Sequence, residues 1–380
     1  MSMEHRTARK LLFVVGTRPE LVKIAPVIRA ARSRDLSTVL IHTGQHYDDA
    51  LDAIFFQELD LPEPDLRLGV GSCGRDRQIE RVRAGVEQAI DRERPDLVVA
   101  QGDTNSVLGA ARAAEGRGVD LVHVEAGLRC GDLTMAEERN RIEADRLAAW
   151  SFAPTAEARA ALLGEGGDPR RIFVTGNTVV DELERQLPGA RRRAAPRRFG
   201  VSPGAYGLAT IHRHEGVEDP AVLRELLAGL GSSAELWDLP VLFPAHPRTE
   251  RRIREAGLEL PDRIRLVPAL GYLDFLSLLA SATIVWTDSG GVQEEACCLG
   301  VPSVVLREST ERPEAIEVGA SRLGGRRSET ILAASRAARA AARGWAHPFG
   351  DGKAGERIVA LLLQGMAVSP AAQPHSDEKE

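Results

Sequence analysis

Short apolar runs rich in β-branched residues recur along the chain, each followed by a longer stretch with helical spacing of apolar positions. Runs at 11–15, 38–42, 97–101, 121–125, 152–153 and 172–175 form one series; those at 206–211, 241–244, 264–266, 282–287 and 303–306 form a second. Strands alternating with helices are the mark of parallel βαβ units. Near-continuous apolarity within each run fits sheets buried on both faces. Between the two series, residues 187–198 are charged, proline-bearing and short of large apolar side chains, as in a linker. The pattern predicts an α/β chain of two doubly wound domains, 1–186 and 187–365, with the last helix (near 352–363) packing back on the first. The polar tail, 366–380, reads as disordered.

Composition narrows the class. A chain of 380 residues is too long for one ordinary core and suits two domains. An apolar share of 43% with 27% charged residues is that of a soluble globular chain. No run has membrane-spanning length and the basic start holds no apolar leader, so the expected location is the cytoplasm and no membrane partner is expected. A net charge of −6 argues against a general nucleic-acid binder. Cys73, Cys130, Cys297 and Cys298 lack metal-ligand spacing and read as buried, reduced thiols; no metal site is expected.

The most telling stretch is Thr287-Asp288-Ser289-Gly290-Gly291-Val292-Gln293-Glu294-Glu295, set between an apolar run and a helical segment. A helix N-terminus entered through glycines is an anion site: free N–H groups and the positive dipole end converge, and no Cβ blocks a phosphate. Two carboxylates just inside the helix suit ribose hydroxyls, which points to a nucleotide and to a sugar nucleotide in particular. In Gly16-Thr17-Arg18-Pro19-Glu20, Pro19 fits a first helical turn and Arg18 fits a bidentate phosphate contact, with a plain capping turn as the equal alternative. Asp103, in Gly102-Asp103-Thr104-Asn105, is either an N-cap or a carboxylate facing the cleft. Glu125 leaves a buried strand, where an unpaired charge is costly. Glu137 adds a further carboxylate; Glu138 and Arg139 read as an ordinary charged helix start. His212 and His246 each end a strand of the second series and suit proton transfer, phosphate contact or a structural hydrogen bond. Three carboxylates and a histidine at a nucleotide cleft suggest acid–base work on a sugar. A glycosidase-like carboxylate pair leaves the phosphate features without a role.

These motifs, with Thr43-Gly44-Gln45-His46, His123-Val124-Glu125-Ala126-Gly127-Leu128-Arg129, Val174-Thr175-Gly176-Asn177-Thr178, Thr310-Glu311-Arg312-Pro313-Glu314 and Gly350-Asp351-Gly352-Lys353, occur in an order that closely resembles the UDP-N-acetylglucosamine 2-epimerase family. The resemblance implies two Rossmann-like domains in a glycosyltransferase-B-like arrangement, with the active site in the interdomain cleft and UDP held by the second domain. It implies epimerisation of UDP-GlcNAc and UDP-ManNAc by anti-elimination of UDP to 2-acetamidoglucal and re-addition, with no cofactor and a homodimeric assembly. By motif it assigns Asp103, Glu125, Glu137 and His212 to catalysis. It assigns Arg18, Ser289, Gly290 and Gly291 to the diphosphate, Glu295 to ribose and Phe275 to the uracil side, with Lys23, His246 and Arg307 as further contacts. Arg312 is a weaker candidate. Pro19 matches the non-hydrolysing type; hydrolysing members tend to carry alanine there. The chain departs from the pattern at His46-Tyr47-Asp48, which replaces the continuation tied to an allosteric site. It also departs in the short segment Cys130-Gly131-Asp132-Leu133-Thr134-Met135-Ala136 and at Gly216. Those departures leave a 3-amino or uronic-acid variant of the sugar and a non-catalytic UDP-sugar binder as alternatives, beside the hydrolysing reaction of the same family.

Overall fold

The structure is a computed structural model that describes residues 9–45, 49–341 and 343–368, with backbone alone for 49–52 and 366–368. His46-Tyr47-Asp48 and residues 369–380 of the expected tail lie outside the described residues; 366–368 complete the last helix, Ala354–Val368.

The first series of apolar runs forms β1 (Lys10–Val15), β2 (Ser37–His42), β3 (Leu66–Arg67), β4 (Leu97–Gln101), β5 (Asp120–Val124), β6 (Trp150–Ala153) and β7 (Ile172–Val174). The second forms β8 (Gly207–Thr210), β9 (Val241–Pro244), β10 (Ile264–Val267), β11 (Ile284–Thr287), β12 (Ser303–Val305) and β13 (Ser321–Leu323). Every pairing is parallel, in the orders β3-β2-β1-β4-β5-β6-β7 and β10-β9-β8-β11-β12-β13. Both sheets are therefore doubly wound and Rossmann-like. β3 and β13 were not expected: two- and three-residue edge strands are too short to show a period.

Helices cover both faces of each sheet. Along β1, Leu11, Phe13 and Val15 point into one apolar cluster and Leu12 and Val14 into another, all fully buried. That is why the run has no polar alternation. In the second sheet the indole of Trp286 is fully buried and donates to Ser335 Oγ at 2.8 Å. Gly207 makes room for it, since a Cβ there would lie 2.3 Å from the ring.

The segment read as a linker is helical: residues 187–193 extend the helix Thr178–Arg193, and Ala195–Arg198 forms a further turn before β8. The last helix lies against the helices Arg18–Arg32 and Thr178–Arg193. Asp181 caps it, accepting from Ala354 and Gly355 N–H at 3.1 and 2.8 Å, while Ile358, Val359 and Leu362 join the cluster of β1. Of the four cysteines, all free, only Cys297 is buried; the other three are half-buried. No helix among the described residues is long and apolar enough to cross a membrane.

Candidate active site

In sheets so wound, strand order reverses between β1 and β4 and between β8 and β11. Loops leaving those neighbours diverge to opposite faces and open a crevice at the strands' carboxyl ends. After β1 the chain turns through Gly16 and Thr17 into the helix Arg18–Arg32. Gly16 has no room for a side chain: a Cβ would lie 2.0 Å from Ser106 Oγ and 2.5 Å from Thr43 Oγ1. After β4 the turn Gly102-Asp103-Thr104 enters the helix Asn105–Gly116, and the Thr104 hydroxyl accepts from Val107 N–H at 3.3 Å. Thr104 is thus the N-cap, which leaves the Asp103 carboxylate to the cleft, 24% exposed and bonded to Arg141. Asn140 donates to the Asp103 carbonyl at 3.0 Å. Beneath both turns lies Glu20. Its Oε2 accepts from Gly16 N–H and its Oε1 from the Thr104 hydroxyl, each at 2.8 Å. Burial pushes its carboxyl up to about 7, against the pull of those hydrogen bonds.

Glu125 follows β5 with left-handed backbone, φ +67°. That conformation costs a non-glycine residue on the order of 1–3 kcal/mol and persists only where surroundings enforce it. Here two cations do: Lys23 from its own domain donates to Oε2, and Arg312 from the second domain donates to Oε1 at 3.2 Å. Glu294 completes a ring. Lys23 Nζ lies 2.8 Å from its Oε2, while Arg312 and Asn177 (2.8 Å) donate to Oε1. Two cations and two carboxylates, none more than 8% exposed, sum to zero charge. Each ion buried alone would cost several kcal/mol; as a neutral quartet they hold one another. Burial raises the Glu125 carboxyl, but Lys23 and Arg312 more than offset this and hold it below the usual carboxylate range. Glu294 is pushed up by its deeper burial and by the charge of Glu125, against the same two cations.

The second domain closes the cleft. The Asp288 carboxylate, after β11, accepts from the backbone N–H of His212 and Arg213, after β8, at 2.7 and 2.8 Å. One buried side chain thereby ties the two loops at the strand-order reversal. Its other oxygen lies 2.8 Å from His212 Nδ1, so the imidazole, 48% exposed, presents its Nε2 edge outward. Burial raises the Asp288 carboxyl, yet the His212 ring and the two N–H groups hold it below the usual range. Arg213 lies among the charges of Glu311, Glu137, Asp103 and Asp288, which outweigh burial and keep it firmly cationic. Its Nη2 is 3.8 Å from Glu311 Oε1, and its buried Nη1 has no hydrogen-bond partner among the described residues. Ser289 caps the helix Gly290–Cys298, accepting from Val292 N–H at 3.4 Å, and Gly290 and Gly291 begin it. Glu295 is buried and accepts from the Tyr272 hydroxyl at 2.9 Å; burial pushes its carboxyl up to about 7.

The composite is a cleft with an exposed imidazole, a carboxylate on an arginine, a half-buried cation with a spare donor and a helix N-terminus. The model of the UDP-N-acetylglucosamine 2-epimerase family matches residues 29–363. The chain belongs to that family. It is 42% identical over 363 residues to the UDP-N-acetylglucosamine 2-epimerase of Methanocaldococcus jannaschii, covering 94% of this chain and 99% of that protein. It is 34% identical over 359 residues to UDP-2,3-diacetamido-2,3-dideoxy-D-glucuronate 2-epimerase of Pseudomonas aeruginosa, covering 93% and 99%. The crystal structure of the M. jannaschii enzyme in complex with UDP-GlcNAc and UDP matches with a TM-score of 0.90 at 42% identity, over 94% of this chain and 100% of that one.

Within this epimerase-family cleft, the residues named from sequence fall into three groups. Asp103, Glu137, His212, Ser289, Gly290 and Gly291 lie at the facing strand ends, with Glu137 half-buried in the first turn of the helix Ala136–Leu147. Arg18 begins the first helix, its guanidinium 5.8 Å from the Phe55 ring centroid, and Phe275 is half-buried against the core. Lys23, Glu125, Glu295 and Arg307 are buried in polar contacts within the protein; Arg307 donates to both oxygens of Glu311, at 2.7 and 3.0 Å. His246 caps the helix Pro247–Glu255, its Nδ1 accepting from Arg248 N–H at 3.2 Å. Glu138, expected as a plain helix start, is buried: it accepts from Cys130 and Gly131 N–H at 2.9 and 3.0 Å and from Arg141 at 2.6 Å. Sequence reasoning gave no role to Arg141, Arg213 or Glu20, and it took Glu294 with Glu295 for ribose contacts, whereas Glu294 is buried on Lys23, Arg312 and Asn177. The only local hints were adjacency, Arg213 to His212 and Arg141 one helical turn after Glu137.

Proposed function

We propose that this chain catalyses reversible epimerisation of UDP-N-acetylglucosamine to UDP-N-acetylmannosamine at C2, without release of the free sugar. The observation that carries this reading is the meeting of two strand-order reversals at one cleft, with Asp103 and Glu137 on one side and His212 and Arg213 on the other. Family membership and the likeness to an enzyme crystallised with UDP-GlcNAc and UDP support the substrate class. Ser289, Gly290 and Gly291 at the helix N-terminus, with Arg18, take the diphosphate. Glu295 takes the ribose, and Phe275 lies toward the uracil.

In the forward half a base removes the C2 proton. The C–H pair becomes the C1=C2 double bond as the C1–O pair departs with UDP, leaving 2-acetamidoglucal. In the return half a proton is added at C2 from the opposite face, and a UDP oxygen re-forms the bond to C1. Proton-transfer groups must therefore stand on both faces of the ring, and Asp103, Glu137 and His212 supply them; each such group contributes roughly 10²–10⁴-fold. Arg213, with a spare buried donor, stabilises the departing diphosphate, where preorganised charge acts without solvent reorganisation. Glu125, held ionised by Lys23 and Arg312, is a poor proton acceptor and serves as fixed negative charge near the sugar.

The test is incubation with UDP-GlcNAc in deuterated water, followed by NMR. Deuterium at C2 in both UDP-GlcNAc and UDP-ManNAc is expected. Accumulation of free ManNAc would show the hydrolysing reaction. Exchange confined to a diacetamido-glucuronate substrate would move the specificity toward the P. aeruginosa relative. No exchange with either would leave a binder only. The family likeness also supports a cytoplasmic homodimer, checked by sedimentation for the oligomer and by fractionation for the location.

A further inference from the structure

Among the buried titratable groups, Glu20 is the one that touches both turns of the first strand-order reversal and has no part in the reaction as proposed. It lies in the first turn of the helix Arg18–Arg32, and its two oxygens accept from one backbone N–H and one side-chain hydroxyl. Gly16 N–H, two residues before Arg18, donates to Oε2 at 2.8 Å. The hydroxyl of Thr104, adjacent to Asp103, donates to Oε1 at 2.8 Å. The same hydroxyl caps the helix that starts at Asn105. Gly16 is pressed against Ser106 and Thr43, so the first turn has little freedom to adjust by itself. The Asp103 turn is held on its far side by Asn140, which bonds both the Asp103 carbonyl and Asn105 Oδ1 at 3.0 Å.

We infer that Glu20 is a positioning residue: by bonding Gly16 and Thr104 at once, its carboxylate sets the spacing between the turn that bears Arg18 and the turn that bears Asp103. The inference rests on the proposed role of Asp103 in proton transfer. A carboxyl or amide group suits this task because it offers two polar atoms a fixed distance apart: one accepts from the Gly16 N–H, and the other meets the Thr104 hydroxyl, which can donate or accept. Loops that carry proton-transfer groups need placement to a fraction of an ångström, and a displacement of about 1 Å lowers turnover about 100-fold.

The experiment compares Glu20→Ala and Thr104→Val with Glu20→Gln and Thr104→Ser. Each is assayed for kcat of C2 deuterium exchange, KM for UDP-GlcNAc, and amide hydrogen exchange at residues 16–18 and 102–105. Glu20→Ala and Thr104→Val should lower kcat at least ten-fold with KM within about three-fold, and should speed amide exchange in both turns. Glu20→Gln and Thr104→Ser, which keep a bridge, should retain at least a third of wild-type kcat. Unchanged kcat and unchanged protection in Glu20→Ala and Thr104→Val would overturn the inference. So would equal losses in the bridging and non-bridging variants. Should Glu20→Ala fail to fold, the Thr104 pair decides alone. Absence of exchange in the wild-type protein would sink the proposed function instead, and the amide protection in the two turns would still decide whether Glu20 braces them.

Discussion

Replacing Lys23 by methionine removes one cation from the buried quartet with little change in volume. Lys23 Nζ contacts both Glu125 and Glu294, and the three side chains are 6%, 8% and 0% exposed. The variant would leave two buried carboxylates to share Arg312 alone. Breaking a buried ion pair costs about 3–5 kcal/mol, a large part of the 5–15 kcal/mol that ordinarily separates folded from unfolded states. The excess charge is relieved by a proton, so one carboxyl titrates above its unfolded value of about 4.3. The folded state then holds more protons than the unfolded one, and stability falls as pH rises through that range. Urea unfolding followed by tryptophan fluorescence should show a loss of about 3–5 kcal/mol at pH 8 and a clearly smaller loss at pH 5. Lys23→Met/Glu125→Gln, which restores neutrality, should lose less than the sum of its single variants by about 1 kcal/mol or more. A loss below about 1 kcal/mol at pH 8, or an equal loss at both pH values, would refute the picture of a mutually neutralised quartet.

Glu295→Gln keeps an acceptor for the Tyr272 hydroxyl and removes a carboxyl that burial raises to about 7 from 4.5. The wild-type protein loses stability on ionising it between those values, so the variant should gain relative to wild type from pH 5 to pH 8, by up to about 3 kcal/mol in urea titrations. Asp103→Asn should abolish C2 deuterium exchange by NMR while leaving UDP affinity within a few-fold; turnover close to wild type would remove Asp103 from the chemistry. Arg18→Ala should weaken UDP binding by about 1.5–3 kcal/mol, the worth of a hydrogen bond to a charged group, read by calorimetry. Asp288→Ala should loosen the His212 and Arg213 loop and lower kcat about 100-fold in the exchange assay, since both N–H groups lose their acceptor.

Local pattern was enough to mark where the longer strands end and what leaves them, though not the short edge strands β3 and β13. Apolar runs, a glycine or proline at the turn and amphipathic helices placed Arg18, Asp103, His212 and Ser289–Gly291 at carboxyl ends before any contact was known, because strand and helix periods are read within a few residues. It could not choose between Asp103 as N-cap and as cleft carboxylate; the geometry of Thr104 with Val107 did. Nor could it pair charges. Lys23 and Glu125 are 102 residues apart, and Glu125 and Arg312 are 187 apart and on different domains. A charge in a sequence carries no sign of its partner. Whether Glu125 is a base or a fixed counter-charge depends on which cations the fold brings within a few ångströms, where low dielectric makes their attraction decisive.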